Sequence, residues 1–204
     1  MRASETRHRG VRGGTRDALR AATKPCHARL ERRFSPEIIM RSRSAYRGAL
    51  VALLGFYEPL EAALCRVPAP IDLRERAKAP ALRADLVALG LSQAEIASAS
   101  RCRDLPELEG VAEALGVAYV LEGATLGARI IAGRARDKLG VSPEPGGGGQ
   151  FFGAYGRDTG SRWRAFLATL EDAIAPGERP RAARAARETF ESLERWLAAR
   201  GALA

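Results

Sequence analysis

The stretch Tyr119-Val-Leu-Glu-Gly-Ala-Thr-Leu-Gly-Ala-Arg129, running on into Ile130 and Ile131, decides how this chain is read. Its apolar residues Val120, Leu121, Leu126, Ile130 and Ile131 recur at helical spacing. Two glycines, Gly123 and Gly127, sit inside the pattern, and each costs a helix about 1 kcal/mol relative to alanine. The four-residue step puts Tyr119, Gly123 and Gly127 on one face. That face carries a phenol and then a track without side chains. Such a track either admits a neighbouring helix or lets something flat approach the backbone.

The rest of the composition narrows the fold class. At 204 residues the chain can bury a substantial core as one domain. Alanine, leucine and arginine dominate, and few runs alternate with period two, so the expected fold is all-α. The net charge of +9 comes almost entirely from arginine. A basic balance suits nucleic acid, an acidic protein or an anionic ligand. Here the charge is diffuse and partly in the N-terminal tail, so no nucleic-acid partner is expected. Cys26, Cys65 and Cys102 stand at unrelated spacings, which reads as free thiols in a reducing compartment. No CxxC or HxxxH spacing supports a metal cage. No apolar run reads as long enough to span a membrane, and the basic N-terminus lacks the apolar core of a secretory signal. A cytoplasmic location without a membrane partner follows.

Residues 1–14 are polar, arginine-rich and end in a Gly-Gly pair, which reads as a disordered extension before one domain over 15–204. Thr15 has the character of an N-cap, with Asp17 in the first turn. The first helix passes Leu19, His27 and Leu30 to about Arg33, and Pro25 should kink it or shift its start. Ser35-Pro36 opens a short segment. Ser44 begins a longer helix, apolar around much of its circumference, to Glu61, with a bend at Pro59. Residues 73–89 are amphipathic, interrupted at Pro80 and stopped by Gly90. Ser92 and Glu95 have capping-box spacing. Pro106 opens a helix to about Gly116, and the glycine-bearing stretch follows to about Leu139, with Gly140 as its stop. Residues 143–149 form the most flexible internal loop. Two further helices run from about Ser161 to Ala173 and from about Arg181 to Ala199.

The chain has two histidines, and His8 lies in the tail. His27 is the one inside the domain, in the context Leu19-Arg20-Ala21-Ala22-Thr23-Lys24-Pro25-Cys26-His27-Ala28-Arg29-Leu30-Glu31. A lone helical histidine is commonly a hydrogen-bonded boundary residue. Arg20, two turns back on the same face, and Glu31, four residues on, admit a second reading. A neutral imidazole with an arginine two turns away can hold a metal centre that also carries a carboxylate.

The pattern Leu19-Arg20-x-x-Thr23-x-x-x-His27-x-x-Leu30-Glu31 resembles the proximal-helix signature of the heme oxygenase family, in its bacterial biliverdin-producing members. Tyr119-x-x-x-Gly123-Ala124-Thr125-Leu126-Gly127 resembles the distal helix. Tyr57-Glu58-Pro59-Leu60-Glu61 and Phe151-Phe152-x-x-Tyr155-Gly156, with Trp163 and Phe166, are also similar to family segments. The resemblance covers about residues 15–200.

What the resemblance implies is specific. The fold would be a single-domain helical bundle of about eight helices with heme between the His27 helix and the glycine track. His27 would be the axial iron ligand, with Glu31 orienting the ring. Arg20, Tyr119 and Thr23 would complete the heme-binding set, Arg20 and Tyr119 toward the propionates. Tyr155, Arg157, Arg162 and Arg164 are candidates for the heme edge. Gly123 and Gly127 would let backbone lie flat over the heme. Many members have an aspartate directly after the first distal glycine, and this chain has Ala124. A proton relay would then use water, backbone carbonyls or another side chain. The implied reaction opens heme with O2 to biliverdin, iron and carbon monoxide. Electrons would come from a separate reductase or ferredoxin, since no flavin or nicotinamide motif is present. A biliverdin-accepting phytochrome is a candidate partner. Two alternatives stand beside this: a heme-binding or heme-trafficking protein with little turnover, and a thiaminase-type or cofactor-biosynthesis enzyme that binds no heme.

Overall fold

A computed structural model describes residues 13–203, so His8 and most of the expected N-terminal extension lie outside the described residues. The described chain is all-α. Its α-helices are α1 (Thr15–Arg33), α2 (Pro36–Ile39), α3 (Arg43–Leu64), α4 (Ala79–Ala88), α5 (Gln93–Ser98), α6 (Val111–Leu139), α7 (Gln150–Gly153), α8 (Thr159–Ala173) and α9 (Arg179–Ala199). The helix count lands near the eight expected, with α2 and α7 single turns. Extended pairing among the described residues is limited to one isolated bridge, Ser142 with Gly148.

Several boundaries differ from expectation, and tertiary contacts explain why. Thr15 is not the cap of α1; Gly14 holds that position without a side-chain bond. The carboxylate of Glu171 on α8 serves instead, accepting from the amides of Thr15 at 2.8 Å and Arg16 at 2.9 Å. A Cβ on Gly14 would come within 2.6 Å of that carboxylate, so glycine lets the acid close on the helix end. Pro25 interrupts nothing, and α1 continues through it. Ala21, whose carbonyl loses its amide partner there, is exposed to water. Ser42, not Ser44, caps α3, accepting from the Ala45 amide.

The amphipathic pattern over 73–89 becomes helix at Ala79 and not before. There Glu61 of α3 accepts from the amides of Lys78 at 2.6 Å and Ala79 at 3.0 Å. Pro106 opens no helix. Residues around it are spent on neighbours: Cys102 N–H donates to Gly55, and Ser192 and Arg195 of α9 reach Asp104. The capping box at Ser92 and Glu95 and the left-handed Gly140 stop are both present. Residues 143–149, expected to be flexible, are cross-braced. Ser142 exchanges backbone bonds with Gly147 and Gly149, and Tyr46 Oη donates to the Gly148 carbonyl. Asp85 then receives the Gln150 and Phe151 amides at 2.8 Å each, fixing α7.

With no break at Gly116, α6 is one helix of 29 residues. It is long and apolar enough to cross a membrane, contrary to the reading of the sequence. In this fold it is the central helix, with Leu115, Val117, Val120 and Leu121 buried. The helix α9 packs along both α6 and α1, joining them.

At its C-terminal end α1 is clamped to α9. Arg29 and Arg33 donate to opposite oxygens of Glu194 at 2.6 and 2.8 Å. Burial pushes the Glu194 carboxyl up, but these hydrogen bonds and charges outweigh it and hold the group below its ordinary value. A carboxyl depressed in the folded state contributes stability above its unfolded pKa, and that contribution disappears as pH falls through the folded value. Thermal melts of the wild type and Glu194→Gln should therefore differ most above the ordinary carboxyl pKa of 4.5, the variant melting lower. The gap should narrow below that pH and close once Glu194 is protonated in the folded protein. A gap that ignores pH would show that the clamp is not electrostatic.

Candidate functional site

His27 stands on the exposed side of α1, with its side chain 54% accessible. Its Nδ1 lies 3.3 Å from Glu31 Oε2, one turn on. Its ring meets Phe190 of α9 edge-on, with centroids 5.6 Å apart. A carboxylate at Nδ1 selects the tautomer with hydrogen there and leaves Nε2 as a lone-pair donor. His27 shares its helix face with Leu30 and Phe34, three and seven residues on. Thr23 is different: it is buried, and its hydroxyl donates to the Leu19 carbonyl at 2.8 Å. That hydroxyl is spent within the helix, so the structure does not present Thr23 to a ligand.

Leu30 and Phe34 form one wall of an apolar cavity of about 130 Å³. Opposite are Leu121, Ala124, Thr125 and Ala128 of α6, with Tyr57 of α3 and Leu193 and Leu197 of α9 among the remaining lining residues. This volume is below the roughly 300–1,000 Å³ usual for a ligand pocket. It is too small for a whole flat ligand. A larger groove, about 740 Å³, is lined by Arg101, Arg103, Arg195 and Trp196 and holds none of the expected site residues.

The glycines differ from one another. A Cβ on Gly116 would sit 2.2 Å from the Ala182 carbonyl oxygen, so that glycine serves helix packing. At Gly123 it would meet the Trp163 ring at an ordinary 3.7 Å. At Gly127 it would meet nothing within 4 Å. The neighbouring-helix explanation therefore fails for Gly127. The surface beside it is apolar and open, with Leu126 46% and Ile130 65% exposed. Ala124 is exposed as well and brings only a methyl group.

Tyr119 packs against Trp163 with ring centroids 5.5 Å apart. Burial pushes its phenol up, while the nearby guanidiniums of Arg16 and Arg20 pull it down. The structure thus brings Tyr119 and Arg20 to one corner and adds Arg16, which the sequence reading missed. The signal was there: Arg16 precedes Arg20 by four residues, one turn on the same face. Tyr57, which the sequence placed only in a family-like segment, also belongs to the cavity wall. Among the described residues no hydrogen bond occupies its hydroxyl, and it lines the cavity that Ala124 lines. Tyr155, expected at a ligand edge, instead turns its hydroxyl into a buried cluster with Lys78 and Glu122.

The comparisons with known proteins bear on family and fold. The chain matches the family model for heme oxygenase over residues 15–199. Among solved structures it is similar to the NO- and CO-bound heme oxygenase of Neisseria meningitidis, at 23% identity over 94% of each chain, with a TM-score of 0.74. It is also similar to the heme oxygenase of Leptospira interrogans, at 16% identity over 92% of this chain and 100% of that one, with a TM-score of 0.71. No curated protein matches it. Those likenesses establish the fold, and the match over 15–199 establishes that the chain belongs to the heme oxygenase family.

Proposed function

We propose that this protein binds heme and opens it with O2 to biliverdin, releasing iron and carbon monoxide. The observation that carries the reading is Gly127: a helix-destabilising residue with nothing within 4 Å of where a Cβ would stand, beside an open apolar face. Bound heme would be the molecule oxidised and would supply the iron that activates O2. Electrons would come from a separate reductase or ferredoxin. The three cysteines remain free thiols, which suits a reducing cytoplasm.

In this reading each residue has a physical task. His27 offers Nε2 to the iron, and Glu31 holds the ring through Nδ1. Arg20, Arg16 and the Tyr119 hydroxyl form a corner of hydrogen-bond donors suited to the two propionates. Leu30, Phe34, Leu193 and Leu197 receive one apolar edge of the ring and exclude water there. Leu126 and Ile130 would offer apolar surface to the remainder, and Gly123 and Gly127 would leave room for it beside the backbone. Ala124 offers no acid. Tyr57 lines the same cavity, and its hydroxyl, without a hydrogen-bond partner among the described residues, would hold a water or relay a proton.

The missing acid at Ala124 is also what favours the alternative of heme binding with little turnover. One experiment separates the readings. Hemin added to the protein should give a one-to-one complex, and a reductant in air should then convert it to biliverdin and carbon monoxide. A stable complex that is reduced but never opened would favour the binder. His27→Ala should change the spectrum and lower turnover at least about a hundredfold, beyond what loss of an outer-shell partner costs. Added imidazole should restore part of it. An unaltered spectrum in that variant would remove His27 from the iron.

A further inference from the structure

Behind the glycine track lies a buried charge cluster that the reaction as described does not use. Glu122, 3% exposed, directly precedes Gly123 on α6. Lys78, 6% exposed, donates from Nζ to Glu122 Oε1 at 2.8 Å, to Tyr155 Oη at 2.7 Å and to the Arg76 carbonyl. Tyr155 Oη donates in turn to Glu122 Oε1 at 2.8 Å, and Arg76 Nη1 pairs with Glu122 Oε2. All three protons of the ammonium are engaged, so Lys78 ties three neighbours together. The Tyr155 ring is flanked by cations, with Lys78 Nζ 4.6 Å and Arg162 Cζ 4.5 Å from its centroid.

Three separate pieces of chain meet here: the loop before α4, the segment between α7 and α8, and α6 itself. Glu122 is the one member on α6, and at about 100° per residue it lies on the flank of the Gly123 and Gly127 track. The Lys78 side chain also lines the apolar cavity. An ion pair sealed inside a protein is a poor source of net stability but a strong constraint on geometry. Its directional bonds tie α6 at Glu122 to the loop before α4 and to the segment between α7 and α8.

We propose that Lys78, Glu122 and Tyr155 are positioning residues that set the rotation and depth of the glycine track over the heme, and so determine which edge of the ring is opened. This rests on the heme-opening reading. The four bridging carbons of heme are chemically similar, so a small displacement of the track redistributes attack among them. The cluster acts through α6 and touches no reacting atom.

The test uses the full chain and hemin, with Tyr155→Phe as the mild variant and Lys78→Met and Glu122→Gln as the stronger ones. Three quantities are read: the melting temperature of the heme-free protein, the circular dichroism of the Soret band in the ferric complex, and the ratio of biliverdin isomers after reduction in air. Tyr155→Phe should melt within a few degrees of wild type. It should change the Soret dichroism and raise the minor isomer about fivefold, the factor expected from one hydrogen bond. Lys78→Met and Glu122→Gln should do more, and Lys78→Arg should recover part of the wild-type ratio. If the stronger variants fail to fold, Tyr155→Phe and Lys78→Arg decide alone. An unchanged isomer ratio with unchanged dichroism would overturn the inference and leave heme opening intact. Wild-type protein that binds hemin but yields no biliverdin would overturn both.

Discussion

The central helix α6 comes so close to α9 that no side chain fits between them at Gly116, where a Cβ would lie 2.2 Å from the Ala182 carbonyl oxygen. The backbones themselves touch. From that contact the rest of the arrangement follows. With α6 seated, its apolar residues Leu115, Val117, Val120 and Leu121 close the core. The same α9 that holds α6 also grips α1 through Glu194. The helix bearing His27 and the helix bearing the glycine track are thus tied to one common support. The cavity between them is lined from α1, α3, α6 and α9.

Carboxylates placed far away in sequence do much of the fixing. Glu171 closes the start of α1, Glu61 the start of α4 and Asp85 the start of α7, each accepting two backbone amides. A helix start exposes unpaired N–H groups and a positive dipole end, and a carboxylate answers both. For Glu61 and Asp85 burial pushes the acid up, against the amides that pull it down, and burial prevails. At the more exposed Glu171 the amides prevail over burial, and the acid lies below its ordinary value.

This division also decides what the sequence disclosed. Local devices were legible: the Ser92–Glu95 capping box, the Gly140 stop, the helical spacing of α6 and the His27 to Glu31 step. Distant devices were not. Gly14 gives no hint that Glu171 will cap α1, and the amphipathic run over 73–89 does not say that helix must wait for Glu61. Pro106 looked like a helix opener because nothing nearby shows that α3 and α9 consume its neighbours' hydrogen bonds. At the site, the glycine track and the Tyr119 and Arg20 corner could be read from spacing and resemblance. The hydroxyl of Thr23 could not be placed, since its back-bond to Leu19 depends on which rotamer burial leaves open. Nor could the buried cluster, because Lys78, Glu122 and Tyr155 are far apart in the chain. A glutamate set in an apolar helix beside a glycine was the one trace of it.

The identity of the glycine track as a heme surface turns on why residue 127 is glycine. Gly127→Ala and Gly127→Leu should be melted without heme and then titrated with hemin. With nothing within 4 Å of the added Cβ, alanine should raise the stability of the heme-free fold by about 0.5–1 kcal/mol, the ordinary gain for replacing glycine in a helix. Hemin affinity should fall in the same variant and collapse with leucine. Loss of heme-free stability that parallels the loss of hemin binding would mean that Gly127 serves a helix contact, and that the open track is not a heme surface.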